Sequence, residues 1–155
     1  MKNEVIPVEI RALLPTHHGT AIFVGNDEKV FVIQVESGMG MVIGMFMKGT
    51  PKERPLTHDL MNEMFQAFGI TVQRAVITEL KNSTYYARLF LEQENELGRK
   101  IVELDARPSD SIALAVAHRK PIFVTRSLFD QVEDMSAVLA QVQSDQENLE
   151  DDDED

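Results

Sequence analysis

DARPSDSIALA, Asp105 to Ala115, is the stretch on which the reading of this chain turns. Its first residues close a strand-like run, Arg99–Ala106. Side chains alternate along a strand, so Val102, Leu104 and Ala106 share one face, while Glu103, Asp105 and, beyond them, Arg107 share the other. Its last residues, Ile112-Ala113-Leu114-Ala115, are apolar all round, which suits a buried helix. Between them Pro108 biases Arg107 toward extended backbone. Ser109 can accept from an orphan helix N–H, and Asp110 favours the positive end of the helix dipole. A strand is expected to meet a helix over Asp110–His118 through a charged turn.

That junction has an echo upstream. Arg54-Pro55-Leu56-Thr57-His58-Asp59 also reads Arg-Pro, hydroxyl, Asp, and then an apolar seam: Leu60, Met61, Met64, Phe65 and Phe68 recur at helical spacing. Thr57 is expected to cap this helix and Gly69 to end it. Capping explains the hydroxyls and the aspartates, but it does not require an arginine at both places. If the two junctions meet, the chain gathers carboxylates, guanidinium groups and an imidazole. Asp59, Asp105 and Asp110 are the candidate metal ligands, since two-metal phosphodiester cleavage uses carboxylates to hold ions about 3.5–4 Å apart. Arg54 and Arg107 are the candidate phosphate binders, through bidentate contacts. His58 is the candidate proton carrier near neutral pH, which makes His58, Asp59, Asp105 and Asp110 the candidate catalytic set. Salt bridges without catalytic meaning, such as Asp105–Arg107 or Asp110–Arg54, use the same residues, and both readings stay open.

Outward from the junctions, Val5–Leu14, Thr20–Val24 and Lys29–Val35 read as strands, the last two separated by Gly25-Asn26-Asp27. The glycine- and methionine-rich Ser37–Met47 reads as a short buried helix whose glycines let backbone approach closely. Thr71–Leu80 and Thr84–Gln93 are joined by the hairpin signal Lys81-Asn82-Ser83, and Pro121–Thr125 is a further strand. Ser127 is expected to start a last helix. Its Leu128, Val132, Met135, Leu139 and Val142 form a heptad seam that packs on the domain's own sheet or on a second copy. Strands in blocks with interspersed helices indicate an α+β fold, with a mixed, largely antiparallel sheet and three to four helices in a single domain. The expected organisation is a domain over 1–135, the end of a helix over 136–144 and a disordered acidic tail over 145–155.

The 155 residues suit one domain. With no cysteine there is no disulfide, thiolate site or Cys nucleophile. The net charge is −11, but eight acidic residues lie between Asp145 and Asp155, leaving −3 for residues 1–144. That body lacks the overall basic footprint usual in nucleic-acid binders. The longest apolar run, Met39–Met47, falls far short of the roughly 20 residues a membrane span needs. The N-terminus has charges where a signal peptide needs an apolar core. A cytoplasmic protein without a membrane association is expected.

Four blocks together make the chain recognisable: RPLTHDLM at Arg54–Met61, YYARLFL at Tyr85–Leu91, LDARPSDSIALAV at Leu104–Val116 and PIFV at Pro121–Val124. In their order and spacing they resemble the bifunctional nuclease (BFN) domain family, from about Val5 to Met135. The motif residues carried over are Arg54, Pro55, Thr57, His58, Asp59, Asp105, Arg107, Pro108, Ser109 and Asp110. The sequence departs at Ser111, where family members often have Ala. The resemblance implies DNase and RNase activity on an α+β fold, with DNA and RNA as substrates, and a homodimer or higher oligomer. A divalent metal, Mg or Mn, is the cofactor the proposed carboxylates would hold. The alternative is a non-catalytic oligomeric binding module, in which the Arg-Pro-[Ser/Thr]-Asp motifs are structural helix N-termini.

Overall fold

Two antiparallel meanders share one seven-stranded sheet. β1 (Val5–Thr16), β2 (Gly19–Gly25) and β3 (Val30–Val35) form the first, and β4 (Ile70–Lys81), β5 (Thr84–Asn95) and β6 (Gly98–Ala106) the second. Between them lies the short β7 (Ile122–Thr125), antiparallel to β1 and parallel to β4, in the order β3-β2-β1-β7-β4-β5-β6. This is a computed structural model, and it describes residues 4–153. The helices are α1 (Ser37–Lys48), α2 (Thr57–Ala67), α3 (Pro108–Ala117), α4 (Arg126–Gln131) and α5 (Ser136–Asp153). The fold is therefore α+β with a mixed, mainly antiparallel sheet.

Local chemistry accounts for much of this. Asn82 and Ser83 both have left-handed backbone, φ 52° and 64°, in the two-residue turn between Lys81 and Thr84. That turn shape matches the twist of the strands it joins. Along β2, Ile22 and Val24 face the core on one side, while Ala21 and Phe23 face a smaller cluster on the other, so the whole strand is buried.

The core sits on the inner face of the sheet. Met39 and Ile43 of α1 and Ile112, Ala113 and Ala115 of α3 pack there against Ile22, Phe31, Ile33, Ala75, Ile77 and Val124. α3 needs no polar face because it is enclosed by the sheet and α1, while Leu114 joins a neighbouring cluster with α2 residues at its margin. α1 meets β2 at Gly40, where a methyl group would lie 2.1 Å from Thr20 Oγ1. Gly38 has open space at the same position, so close approach explains one of these glycines and not the other.

The C-terminal region differs from its expected form. One helix carrying a continuous heptad seam is instead two helices. Leu128 and Val132 enter the inner core, whereas Leu139 packs on the outer face against Ala21, Phe23 and Val30. A straight helix cannot serve both faces of a sheet. The chain turns at Glu133–Met135, where Asp134 Oδ1 accepts from the N–H groups of Val30 and Ser136, each at 3.1 Å. Thr125, not Ser127, caps α4, accepting from Leu128 N–H at 3.4 Å. α5 then runs to Asp153, so the stretch expected as a disordered tail is helical and exposed up to that residue. Good helix formers such as Gln, Glu and Leu, with an i,i+4 bond from Gln141 Nε2 to Asp145 at 2.9 Å, suit a helix there. Residues 154 and 155 lie outside the described ones.

Candidate functional site

The N-termini of α2 and α3 converge. The cap residues are Leu56 and Arg107, rather than Thr57 and Ser109, which puts Asp59 and Asp110 at the same position, the third of their helices. Asp59 Oδ2 accepts from Leu56 N–H at 2.8 Å, closing its own helix end, and Oδ1 takes the Lys52 ammonium at 3.0 Å. Asp110 does something different. Its Oδ2 accepts from Arg107 Nε at 3.0 Å, and its Oδ1 from His58 Nε2 at 2.9 Å. The prolines also differ: Pro108 is the first helical residue, where its missing N–H costs nothing, whereas Pro55 precedes the cap. The two Arg-Pro sequences are alike in letters and unlike in position.

His58 is buried, with 6% of its surface exposed. Burial pushes the Asp110 carboxyl up, but hydrogen bonds from Arg107 and His58 and their charges outweigh it and hold the group below the usual carboxylate range. An ionised carboxylate can only accept. The shared hydrogen therefore sits on Nε2 of His58, and in the neutral ring Nδ1 carries the lone pair. Nδ1 makes no hydrogen bond to the described residues. The one enclosed side-chain polar atom without a partner among them is Ser111 Oγ, so Nδ1 keeps contact with solvent. Asp59 is likewise pushed up by burial and drawn further down by the Leu56 amide and Lys52.

Asp105 does not join this group. Its strand neighbours Leu104 and Ala106 stand opposite the buried Leu89 and Ala87, which face α3, so Asp105 points to the other face of the sheet, opposite Arg88. Arg54 is exposed on the approach to α2 and makes no ion pair among the described residues. The structure thus brings His58, Arg107 and Asp110 together, places Asp59 beside His58 in sequence but on Lys52, and puts Asp105 on the other face of the sheet, while Arg54 makes no bond to the group. Among the described residues no three His, Asp or Glu side chains form a group that could hold a metal ion. The three aspartates expected to be ligands are not gathered, and two of them already hold cations, Asp59 on Lys52 and Asp110 on Arg107.

Some neighbours had no signal in the sequence. Glu36, the cap residue of α1, reaches Arg107 Nη1 at 3.6 Å across the fold. A cleft of about 370 Å³ opens beside them, lined in part by Gln34, Glu36, Tyr85, Arg107 and Ser109. Ser109 is 8% exposed, and its hydroxyl makes no hydrogen bond to the described residues. A lone Glu after a strand or a Lys in a loop, such as Lys52, carries no local mark of such a role.

Comparison with known proteins bears on this geometry. The family model of the bifunctional nuclease domain matches residues 22–136. A Mycobacterium tuberculosis protein named as uncharacterized is 28% identical over 130 residues, covering 83% of this chain and 75% of its own length. Bifunctional nuclease 1 of Oryza sativa subsp. japonica is 29% identical over 110 residues, and that of Arabidopsis thaliana 28% over 109 residues. Each of these plant matches covers 63% of this chain but only 33% of the plant protein. With the family match extending over both helix junctions and the strands that carry them, this chain belongs to the bifunctional nuclease domain family.

Proposed function

We propose that this chain is a nuclease of broad specificity, hydrolysing DNA and RNA phosphodiesters, with His58, Asp110 and Arg107 as its working group. The observation that carries the reading is the 2.9 Å pairing of buried His58 with the ionised Asp110 at the meeting of two helix N-termini. Asp110 fixes the tautomer and leaves Nδ1 of His58 to take a proton from water. The water oxygen bonds to phosphorus, the P–O ester bond breaks, and the imidazolium returns the proton to the leaving oxygen. Arg107 bonds Asp110 through Nε and meets Glu36 at Nη1, which leaves Nη2 for a phosphate oxygen. Its partner Glu36 is exposed enough to swing aside. Arg54 is a second phosphate contact from the loop before α2, and Asp59 holds the end of α2 in place.

The test is cleavage of single-stranded DNA, duplex DNA and RNA by highly purified protein, with Mg²⁺, with Mn²⁺ and with EDTA. His58→Ala is expected to lower the rate on the order of 100-fold or more, and Asp105→Ala to leave it unchanged. Equal rates for wild type and His58→Ala would overturn the scheme. Activity that needs the ion and falls in Asp59→Ala and Asp105→Ala would favour the metal-held arrangement, reached by rearranging the present ion pairs.

One observation favours the non-catalytic module. Arg107 lies between two carboxylates, Asp110 and Glu36, so the cluster carries no surplus positive charge for a phosphate. In that reading the bond from His58 to Asp110, with Arg107 beside it, clamps α2 to α3, and no preparation of the protein cleaves nucleic acid.

A further inference from the structure

The cleft of about 370 Å³ beside Arg107 lies between β3, at one edge of the sheet, and the β4–β5 hairpin. There the rings of Phe31 and Tyr85 are 5.9 Å apart between centroids. The start of α3 forms the remaining wall. Small-molecule sites occupy roughly 300–1,000 Å³, and this cleft is at the lower end of that range.

Its walls are rich in hydrogen-bond donors. Ser109 is buried, and its hydroxyl bonds none of the described residues. Ser111 Oγ is sealed from solvent, whereas Ser109 Oγ is not, so the open side of Ser109 is the cleft. A buried hydroxyl without a partner is uncommon, because its lost hydration goes uncompensated. The Tyr85 hydroxyl also has no partner among the described residues, and burial pushes the phenol above its usual range, which keeps it a donor. The N–H groups of Ser109 and Asp110 precede the first intrahelical bond of α3, from Ser111 N–H to Arg107 O at 3.0 Å. No side chain caps that helix end. Glu36 also lines the cleft, and its exposed carboxylate meets Arg107 Nη1 at 3.6 Å. An anionic oxygen is therefore already accepted at this spot.

We infer that the cleft is a mononucleotide subsite. It takes the phosphate monoester on Arg107, the Ser109 hydroxyl and the first-turn amides of α3, in the place Glu36 holds, with the nucleoside beside Tyr85. The nucleotide rests on the nuclease reading, since hydrolysis of a phosphodiester leaves a phosphate monoester. The anion chemistry rests on the geometry, because a helix N-terminus favours negative charge. Glu36 is an internal competitor for Arg107. As the phosphate arrives one carboxylate leaves, so the cluster needs no surplus positive charge to bind it.

The test is titration calorimetry of the full chain with 5′-AMP, 3′-AMP, inorganic phosphate and adenosine. None of these has a phosphodiester bond, so binding is read apart from cleavage. At least one of the two nucleotides is expected to bind, inorganic phosphate more weakly, and adenosine not at all. Ser109→Ala should weaken nucleotide binding about tenfold, as expected for a lost hydrogen bond to a charged group. The same change should leave the melting temperature of the unliganded protein unaltered or higher, since the hydroxyl it removes has no partner. Glu36→Gln should tighten binding about two- to fivefold, the range for an exposed charge. These opposite signs separate the site from a folding defect. Neither nucleotide binding at millimolar concentration, adenosine or inorganic phosphate binding as tightly as the nucleotide, an indifferent Ser109→Ala, or weaker binding in Glu36→Gln would each overturn the proposal. Nucleotide binding without cleavage of DNA or RNA would leave the subsite standing and sink the nuclease scheme, and cleavage without nucleotide binding would do the reverse.

Discussion

Asp110→Ala should weaken the join between α2 and α3 by an amount that the geometry bounds. The change strips the partner from His58 Nε2, on a side chain only 8% exposed. Leaving such a group unpaired costs about 1–3 kcal/mol. Arg107 is 61% exposed, and its lost pairing with Asp110 is worth about 0–1 kcal/mol after solvent screening. The lost dipole interaction in the first turn, on the order of 0.5 kcal/mol, is offset by the better helix propensity of Ala. The net is a loss of about 2 kcal/mol, or a fall of roughly 4–8 °C in Tm for a chain of this size. Urea unfolding followed by circular dichroism at pH 7 measures it. The sharper quantity is the coupling in a cycle with His58→Ala and the double variant. Two groups in one buried hydrogen bond should couple by about 1 kcal/mol, so the double variant loses less than the two singles together. Additivity within about 0.3 kcal/mol would refute the claim that this contact holds the junctions together.

Three other outcomes follow from particular residues. Ser111 is fully enclosed and its hydroxyl has no partner, so Ser111→Ala should raise stability by about 1 kcal/mol, seen as a higher urea midpoint at unchanged slope; a lower midpoint would mean that the hydroxyl is satisfied. Gly40→Ala should cost about 1–3 kcal/mol because its methyl would collide with Thr20, whereas Gly38→Ala, facing open space, should gain up to about 1 kcal/mol. Equal melting temperatures for the two would discount the α1–β2 approach. The His118 pKa is lowered, first by burial and then by Lys120, so the unfolded chain binds the proton more readily. Stability from this group is complete above pH 6.5 and is lost as pH falls through the lower folded value. His118→Gln should flatten that part of the stability–pH curve, and an unchanged slope would count against it.

Much of the fold could be read along the chain because it is local. The alternation in β6, the Asn82-Ser83 turn, the seam of α2 and the apolar run of α3 each follow from neighbouring side chains and backbone sterics. The helix starts were legible in kind but displaced: the expected cap Thr57 gave way to Leu56, where Asp59 closes the helix from within, and Ser109 gave way to Arg107, because Pro108 is already the first helical residue. The split of the last helix was hidden because a heptad spacing says which residues are apolar and not which face of a sheet each will meet.

The sequence by itself determined most of the elements, the family and the list of charged residues at the two junctions. It did not determine which of those charges would meet. His58 and Asp110 are 52 positions apart, and only the packing of α2 and α3 on the sheet brings them within a hydrogen bond. The same alternation that was visible from the start separates Asp105 from Asp110, but only once the helices commit to one face of β6. Local periodicity sets what a side chain can face. The tertiary structure chooses among those faces, because burial rewards one global arrangement of all of them together.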